Sequence, residues 1–122
     1  MSYAFDPGIP LYLQLIEQLQ RALVAGKLTR GQRLKPVREL AQEWGVTPNT
    51  MQRALAELER KELIRTERTT GKFVTDDAGR LCALREEFLR GETKAVAETL
   101  LDLGFSAVDV LEGVRRALNE RT

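Results

Sequence analysis

Residues 46–61, VTPNTMQRALAELERK, are the stretch that decides the fold. They predict a short helix, because Thr47 suits the N-cap and Pro48 suits the first helical position, where its missing N–H costs nothing. Apolar side chains then recur at i, i+4 and i+7, which is the spacing of a buried helical stripe. These residues are Met51, Leu55 and Leu58, with Ala54 beside them.

The opposite side of this predicted helix carries groups suited to reading DNA bases. Asn49 and Gln52 can pair with adenine edges, and Arg53 can pair with guanine or phosphate. Thr50 suits a contact with a phosphate or with the thymine methyl. An ordinary solvated helix face has the same composition, so the neighbouring segments have to decide between the two interpretations.

Charge is distributed unevenly along the 122 residues, although the net charge is only +1. Residues 27–75 contain eleven Lys and Arg against six Asp and Glu, a net +5. Residues 76–122 contain seven against ten, a net −3. The basic charge therefore surrounds the 46–61 stretch, which is typical of a surface that contacts a polyanion.

Residue usage excludes several classes of function. The chain has no histidine and one cysteine, so zinc sites and histidine-based catalysis are not expected, and we predict neither a cofactor nor an enzyme. No apolar run reaches the length of a membrane span, and no signal peptide is visible, so we expect a cytoplasmic protein with no membrane partner. We expect Cys82 to be a buried core residue, because no second cysteine could resolve an oxidised thiol.

The segment before residue 46 predicts the first part of a helix-turn-helix. Residues 1–9 form an extended arm with an apolar Tyr3, and a helix spans about 10–25. A second helix opens at Pro36 and ends at Gly45, three residues before the next helix begins. A short turn containing glycine between two helices is typical of a helix-turn-helix, although a common αα-corner has the same spacing.

The segment after Lys61 predicts a two-stranded hairpin over residues 63–75, with Arg33 and Leu34 as a further short strand. The tip contains Thr70, Gly71 and Lys72 beside Arg68, and it is suited to contact a phosphate or the minor groove. A hairpin that only covers the core is the alternative. The fold class predicted is mainly α with a small β-hairpin, a winged helix-turn-helix followed by helices.

Residues 76–122 predict a helical dimerisation segment. A helix spans about 79–103 with an interruption near Gly91, and Ser106 with Asp109 approximates a capping box for a last helix. Two helices this short cannot enclose a ligand cleft, whereas their apolar stripes suit a two-fold dimer. The predicted dimerisation residues are Leu81, Leu84, Phe88, Leu100, Leu103, Val110, Leu111, Val114 and Leu118.

Several linked motifs resemble the DNA-binding domain of the GntR superfamily of bacterial transcription regulators over residues 5–75. The matching pieces are PLYLQL (10–15), GQRL (31–34), VRELA (37–41), GVTPNTMQRA (45–54) and GKFV (71–74). The short C-terminal part resembles the YtrA-type branch, whose members carry a small helical dimerisation segment.

The resemblance implies roles for individual positions. Arg38 would touch DNA near the start of the second helix, and Gly71 would approach the DNA backbone or minor groove closely. Thr47 and Thr50 would contact phosphate. The family usually shows Leu-Pro-Ser before the second helix, whereas this sequence has Leu34-Lys35-Pro36. The change removes a serine cap and adds a cation, which implies an extra phosphate contact from Lys35. The sequence departs from the family again at the wing, where Thr69 replaces the first glycine and Lys72 replaces a threonine.

These observations predict a DNA-binding domain at 1–75 and a dimerisation segment at 76–122. We expect a transcription regulator, acting as a homodimeric repressor on a palindromic operator in double-stranded DNA. A winged helix used as a protein–protein adaptor is the alternative from another class. Nothing in the sequence identifies a small-molecule effector.

Overall fold

The computed structural model describes residues 5–121, which form five helices and one hairpin. The chain divides into two compact units, with the boundary between Arg85 and Glu86. Tyr3 and the first part of the predicted arm lie outside the described residues. The elements are α1 (Leu11–Val24), α2 (Val37–Trp44), α3 (Pro48–Arg60), β1 (Ile64–Glu67), β2 (Gly71–Val74), α4 (Ala78–Asp102) and α5 (Ala107–Arg121).

The first unit is built on α1, which packs against α3. A buried glutamine, Gln14, ties the preceding segment to this helix. Its side-chain amide accepts from the backbone N–H of Asp6 at 2.7 Å and donates to the carbonyl of Ile9 at 2.8 Å. The residues that form the core are mostly leucines contributed by all three helices and the hairpin: Leu15, Leu19, Leu34, Leu40, Met51, Leu55, Leu58, Leu63, Ile64 and Val74.

Helices α2 and α3 form the predicted helix-turn-helix. Gly45 ends α2 with φ 72°, in the left-handed region that favours glycine, and the N–H of Val46 donates to the carbonyl of Ala41 at 2.9 Å. Thr47 then caps α3 by accepting from the N–H of Thr50 at 3.3 Å, and Pro48 opens the helix. The predicted cap and first helical residue are both confirmed.

The hairpin also forms, and residues 32–34 add a short third segment to it. β1 and β2 are antiparallel with Glu67 opposite Gly71, so the turn consists of residues 68–70. The predicted tip is therefore displaced: Gly71 and Lys72 lie in β2, because both are paired with β1. The predicted extra strand appears as a single β-bridge between Arg33 and Phe73.

The start of α4 belongs to the first unit, which extends ten residues beyond the predicted boundary at 75. Arg80 donates to the carbonyl of Lys61 at 3.0 Å, and Arg85 donates to the carbonyl of Val24. Leu84 is 2% exposed, so it contributes to the core, which corrects its assignment to the dimer surface. Leu81 beside it is half-buried.

Two further expectations for α4 are wrong. Cys82 is exposed, because it lies on the side of the helix away from Leu84. Gly91 does not interrupt the helix, which is continuous over 25 residues. A glycine costs only about 1 kcal/mol relative to alanine within a helix, and the hydrogen bonds on either side of it outweigh that cost.

The second unit consists of the rest of α4 and α5, which are joined at Gly104 with φ 93°. The predicted capping box is present: the N–H of Asp109 donates to the Ser106 hydroxyl at 3.1 Å, and the N–H of Ser106 donates to the Asp109 carboxylate at 3.0 Å. No described residue of α5 is buried. Among residues 5–121, no helix combines the length and apolar character needed to cross a bilayer.

Large apolar side chains of the second unit are open to solvent. Val108 is 74% exposed and Leu111 is 72% exposed, although both are residues that normally lie in a core. Of the predicted dimerisation residues, Phe88, Leu100 and Val110 are half-buried, whereas Leu103, Leu111, Val114 and Leu118 are exposed. The exposed set extends beyond the prediction to Leu89, Val96, Leu101, Phe105 and Val108.

Candidate nucleic-acid interface

Helix α3 separates its side chains into a buried stripe and an exposed face. Met51 is fully buried and faces the core with Ala54, Leu55 and Leu58. Asn49, Gln52 and Arg53 are exposed and lie together on the opposite face, because they are three and four residues apart. The polar groups predicted to reach base edges therefore share one open surface at the start of the helix.

Two threonine hydroxyl groups lie at the N-terminus of α3. The Oγ1 atoms of Thr47 and Thr50 are 3.0 Å apart, and the N–H of Thr50 donates to the Oγ1 of Thr47 at 3.3 Å. A helix N-terminus presents N–H donors and a partial positive charge, which favour an anion. The placement of both threonines suits the phosphate contacts predicted for them.

Arg53 does not extend freely from the exposed face. Its Cζ lies 3.6 Å from the centre of the Tyr12 ring, so the guanidinium stacks on an aromatic side chain of α1. One flat side of the group is occupied, whereas its N–H edge stays available for a bidentate partner. The sequence did not predict this contact, because it joins two elements that are forty residues apart.

The cations before and within α2 differ in their surroundings. The ammonium of Lys35 donates to Glu43 at 2.7 Å, and this hydrogen bond raises the pKa of Lys35 and lowers the pKa of Glu43. Both side chains are exposed, so water screens the pair and a phosphate can compete for the lysine. Arg38, in the first turn of α2, is exposed and forms no ion pair with residues 5–121.

The turn of the wing is organised around Glu67. Its carboxylate accepts from the Thr70 hydroxyl at 2.7 Å and from Arg65, and these hydrogen bonds hold the pKa of Glu67 below its usual value. Arg65 also pairs with Asp76 at 3.2 Å. Arg68 is exposed at the turn. Of the two arginines, Arg65 is held by carboxylates and Arg68 is open to a ligand.

Lys72 lies on a different part of the wing from the one predicted. It is opposite Thr66 in the hairpin, and its ammonium donates to the Thr66 hydroxyl at 2.9 Å. The same ammonium lies 3.6 Å from the carboxylate of Glu59 in α3, and the side chain is 20% exposed. Lys72 thus connects the wing to α3, and the sequence could not reveal this because its partners come from two other elements.

Arg33 is a further exposed cation, which the sequence motifs did not assign to this surface. It lines a groove of about 710 Å³ between the start of α2 and the wing. The groove also contains Lys35, Arg68 and Gly71. The sequence marked this position only through the short strand predicted at Arg33 and Leu34. In the structure that segment pairs with the hairpin through the bridge between Arg33 and Phe73.

The assembled surface can bind a polyanion and read base edges. It combines an exposed amide-rich helix face, hydroxyl groups at a helix N-terminus and several exposed cations. Among residues 5–121, no three side chains of the metal-binding types come together. Contacts of these kinds are the ones that proteins use for DNA backbone and major-groove recognition.

Comparison with known families and relatives points the same way. A sequence model described as "Bacterial regulatory proteins, gntR family" matches residues 11–74. The chain is 32% identical over 115 residues to the uncharacterized HTH-type transcriptional regulator YhcF of Bacillus subtilis, covering 94% of this chain and 95% of YhcF. It is 33% identical over 90 residues to the HTH-type transcriptional repressor YtrA of Bacillus subtilis, covering 67% of this chain and 69% of YtrA.

Solved structures share the fold. A GntR family transcriptional regulator from Listeria monocytogenes superposes with a TM-score of 0.86 at 35% identity, covering 92% of this chain and 98% of that one. The AraR DNA-binding domain in complex with operator ORX1 has a TM-score of 0.55 at 25% identity. That match covers 62% of this chain and 95% of the AraR domain.

Proposed function

The chain belongs to the GntR family of bacterial regulatory proteins and is a DNA-binding transcription regulator; on that premise, we propose that it reads a specific operator through α3. The observation that carries the proposal is the shared exposed face of Asn49, Gln52 and Arg53. An α-helix fits the major groove, where each base pair presents a distinct pattern of donors and acceptors. The AraR complex with an operator supports duplex DNA as the ligand.

Each part of the surface has its own role in this proposal. Asn49 and Gln52 pair with base edges, whereas Thr47 and Thr50 hold a phosphate at the N-terminus of α3. Arg38 and Lys35 contact the DNA backbone beside α2, and the turn of the wing, with Arg68, Thr70 and Gly71, contacts the backbone or the minor groove. Backbone contacts fix the register of the protein on DNA, and base contacts supply the sequence preference.

The protein acts as a homodimer formed by its second unit. Exposed side chains such as Val108, Leu111 and Leu118 leave apolar surface in water, and a second copy of the same surface would bury it. A two-fold dimer presents two copies of α3, so its operator has two inverted half-sites. Apolar burial contributes roughly 25 cal/mol per Å², so burying this surface would stabilise the dimer.

Repression is the proposed outcome of operator binding. The relative YtrA is named as a repressor and shares a third of its aligned residues with this chain. A dimer that occupies an operator at a promoter excludes other proteins from the same DNA. Repression by this route requires no surface that recruits another protein.

A gel-shift series with the double variant Asn49→Ala and Gln52→Ala tests the assignment of base readout. We expect the variant to bind the operator about as weakly as unrelated DNA, since each base contact contributes roughly 1–3 kcal/mol of discrimination. Gln18→Ala, an amide truncation in α1 at a residue with no proposed DNA or dimer contact, is the control and should keep the operator preference of the wild type.

Two results would contradict the proposed function. A double variant that retained full operator preference would remove the base-reading role from α3. A salt titration of the wild type with a log–log slope near zero would exclude DNA as the ligand, because phosphate contacts release counterions. That second result would favour a protein–protein adaptor.

A further inference from the structure

Arg33 is held beside the wing by its own backbone. The segment before α2 adds to the outer edge of β2: the N–H of Leu34 donates to the carbonyl of Lys72, and the N–H of Val74 donates to the carbonyl of Gln32, both at 2.8 Å. Arg33 lies between these two bonds and forms the bridge with Phe73. Its Cα is therefore fixed relative to the hairpin, although it belongs to a loop in sequence.

The guanidinium of Arg33 lies against the first residue of β2. A Cβ built on Gly71 would be 3.7 Å from Nε and 3.8 Å from Nη2 of Arg33, which is ordinary van der Waals contact. Gly71 has φ 117°, a conformation that a side chain would strain. The guanidinium therefore lies beside the start of β2, and Arg33 stays exposed.

Three cations of the segment before α2 and of the hairpin are engaged, whereas Arg68 is open. Lys35 pairs with Glu43. Lys72 lies between the Thr66 hydroxyl and the Glu59 carboxylate. Arg65 is held by Glu67 and Asp76. Among residues 5–121, Arg33 forms no ion pair, so its charge is available to a ligand.

We propose that Arg33 is a DNA-phosphate contact that the wing positions. The inference rests on the proposed function and adds a residue that the sequence motifs did not assign. A guanidinium offers several N–H donors in a fixed fork that matches the oxygens of a phosphate. Arg33 and Arg68 both line the 710 Å³ groove beside the wing, so the two cations can hold the backbone of the same DNA strand.

The experiment compares Arg33→Gln with Arg30→Gln in the full chain. Arg30 is exposed in the same loop and does not line the groove, so its variant makes the same change in charge without the predicted contact. Binding of each variant to a labelled operator and to random DNA is measured by fluorescence anisotropy over a series of KCl concentrations. Thermal unfolding of each variant monitors the fold.

We expect Arg33→Gln to weaken binding about tenfold on both DNAs, and to reduce the salt slope by roughly 0.9, the value for one phosphate contact. Arg30→Gln should leave the slope unchanged. Equal behaviour of the two variants would overturn the proposal. A loss confined to operators with A·T pairs beside the half-site would also overturn it, in favour of a minor-groove contact. A wild-type slope near zero would instead refute the proposed function.

Discussion

At the scale of single residues, the stacking of Arg53 on the Tyr12 ring determines the orientation of one cation on the exposed face of α3. A guanidinium that rests on an aromatic ring has fewer orientations to lose when it binds DNA. The contact contributes about 0.5–1 kcal/mol at an exposed position. Tyr12 is therefore a positioning residue for Arg53, supplied by a helix that does not itself carry base-reading groups.

We propose that Arg53 contacts a base from the exposed face of α3, so that replacing Tyr12 should alter the base preference at one position. Tyr12→Leu removes the ring, and we expect a two- to fivefold loss of discrimination at that base pair. Tyr12→Phe keeps the ring and should retain the preference of the wild type. Binding to operators substituted at one base pair at a time measures the effect. If Tyr12→Leu weakened binding to all DNA equally, the tyrosine would have a general role and not a positioning one.

Residue-level prediction succeeded where the determining interactions are local. The Thr47 cap, Pro48 at the first helical position and the buried Met51 all depend on neighbours within one turn of helix. The pairing of Lys72 with Glu59 depends on how β2 lies beside α3, which no local pattern contains. The same is true of Arg33, whose neighbour Gly71 is 38 residues away.

At the scale of elements, the start of α5 is fixed by a reciprocal cap that depends on pH. Hydrogen bonds with the backbone N–H and the hydroxyl group of Ser106 hold the pKa of Asp109 below its usual 3.8. Because the folded-state pKa is lower than the unfolded one, the carboxylate stabilises the folded protein above pH 3.8. This contribution is lost as the pH falls through the folded-state pKa.

A comparison of Asp109→Asn with the wild type tests this cap. At pH 7 we expect the variant to unfold at a lower temperature, because the charged partner of the Ser106 N–H has been lost. The difference should shrink as the pH falls from 3.8 through the lower folded-state pKa of Asp109, because the carboxylate of the folded wild type then becomes protonated. Thermal unfolding followed by circular dichroism measures both. A difference that did not change with pH would show that the charge of Asp109 does not contribute.

Element positions were predictable from capping residues and from hydrophobic spacing. Gly45 and Gly104 end helices as expected, since both adopt positive φ. Gly91 was expected to interrupt α4 and does not, because its cost is small beside that of breaking a helix. The turn of the wing, residues 68–70, begins two residues before the predicted tip, because Gly71 and Lys72 pair with β1 instead of joining the turn.

At the scale of the whole molecule, the two units differ in what they bury and what they expose. The first unit has a complete core and carries the exposed surface proposed to bind DNA. The second unit buries no described side chain of α5 and exposes large apolar residues along both of its helices. The spacing of apolar residues in the sequence identified the apolar stripes of this unit, but it could not show which of those side chains remain exposed to solvent.

Identification of the operator most directly tests the proposal that a dimer reads DNA through α3. Selection of bound sequences from random duplex DNA, with the mass of the protein measured in solution, tests reading and assembly together. We predict a dimer that enriches an inverted repeat, with half-sites separated by about one helical turn or a multiple of it. A monomer, or a protein that enriches no sequence above the random pool, would contradict the claim.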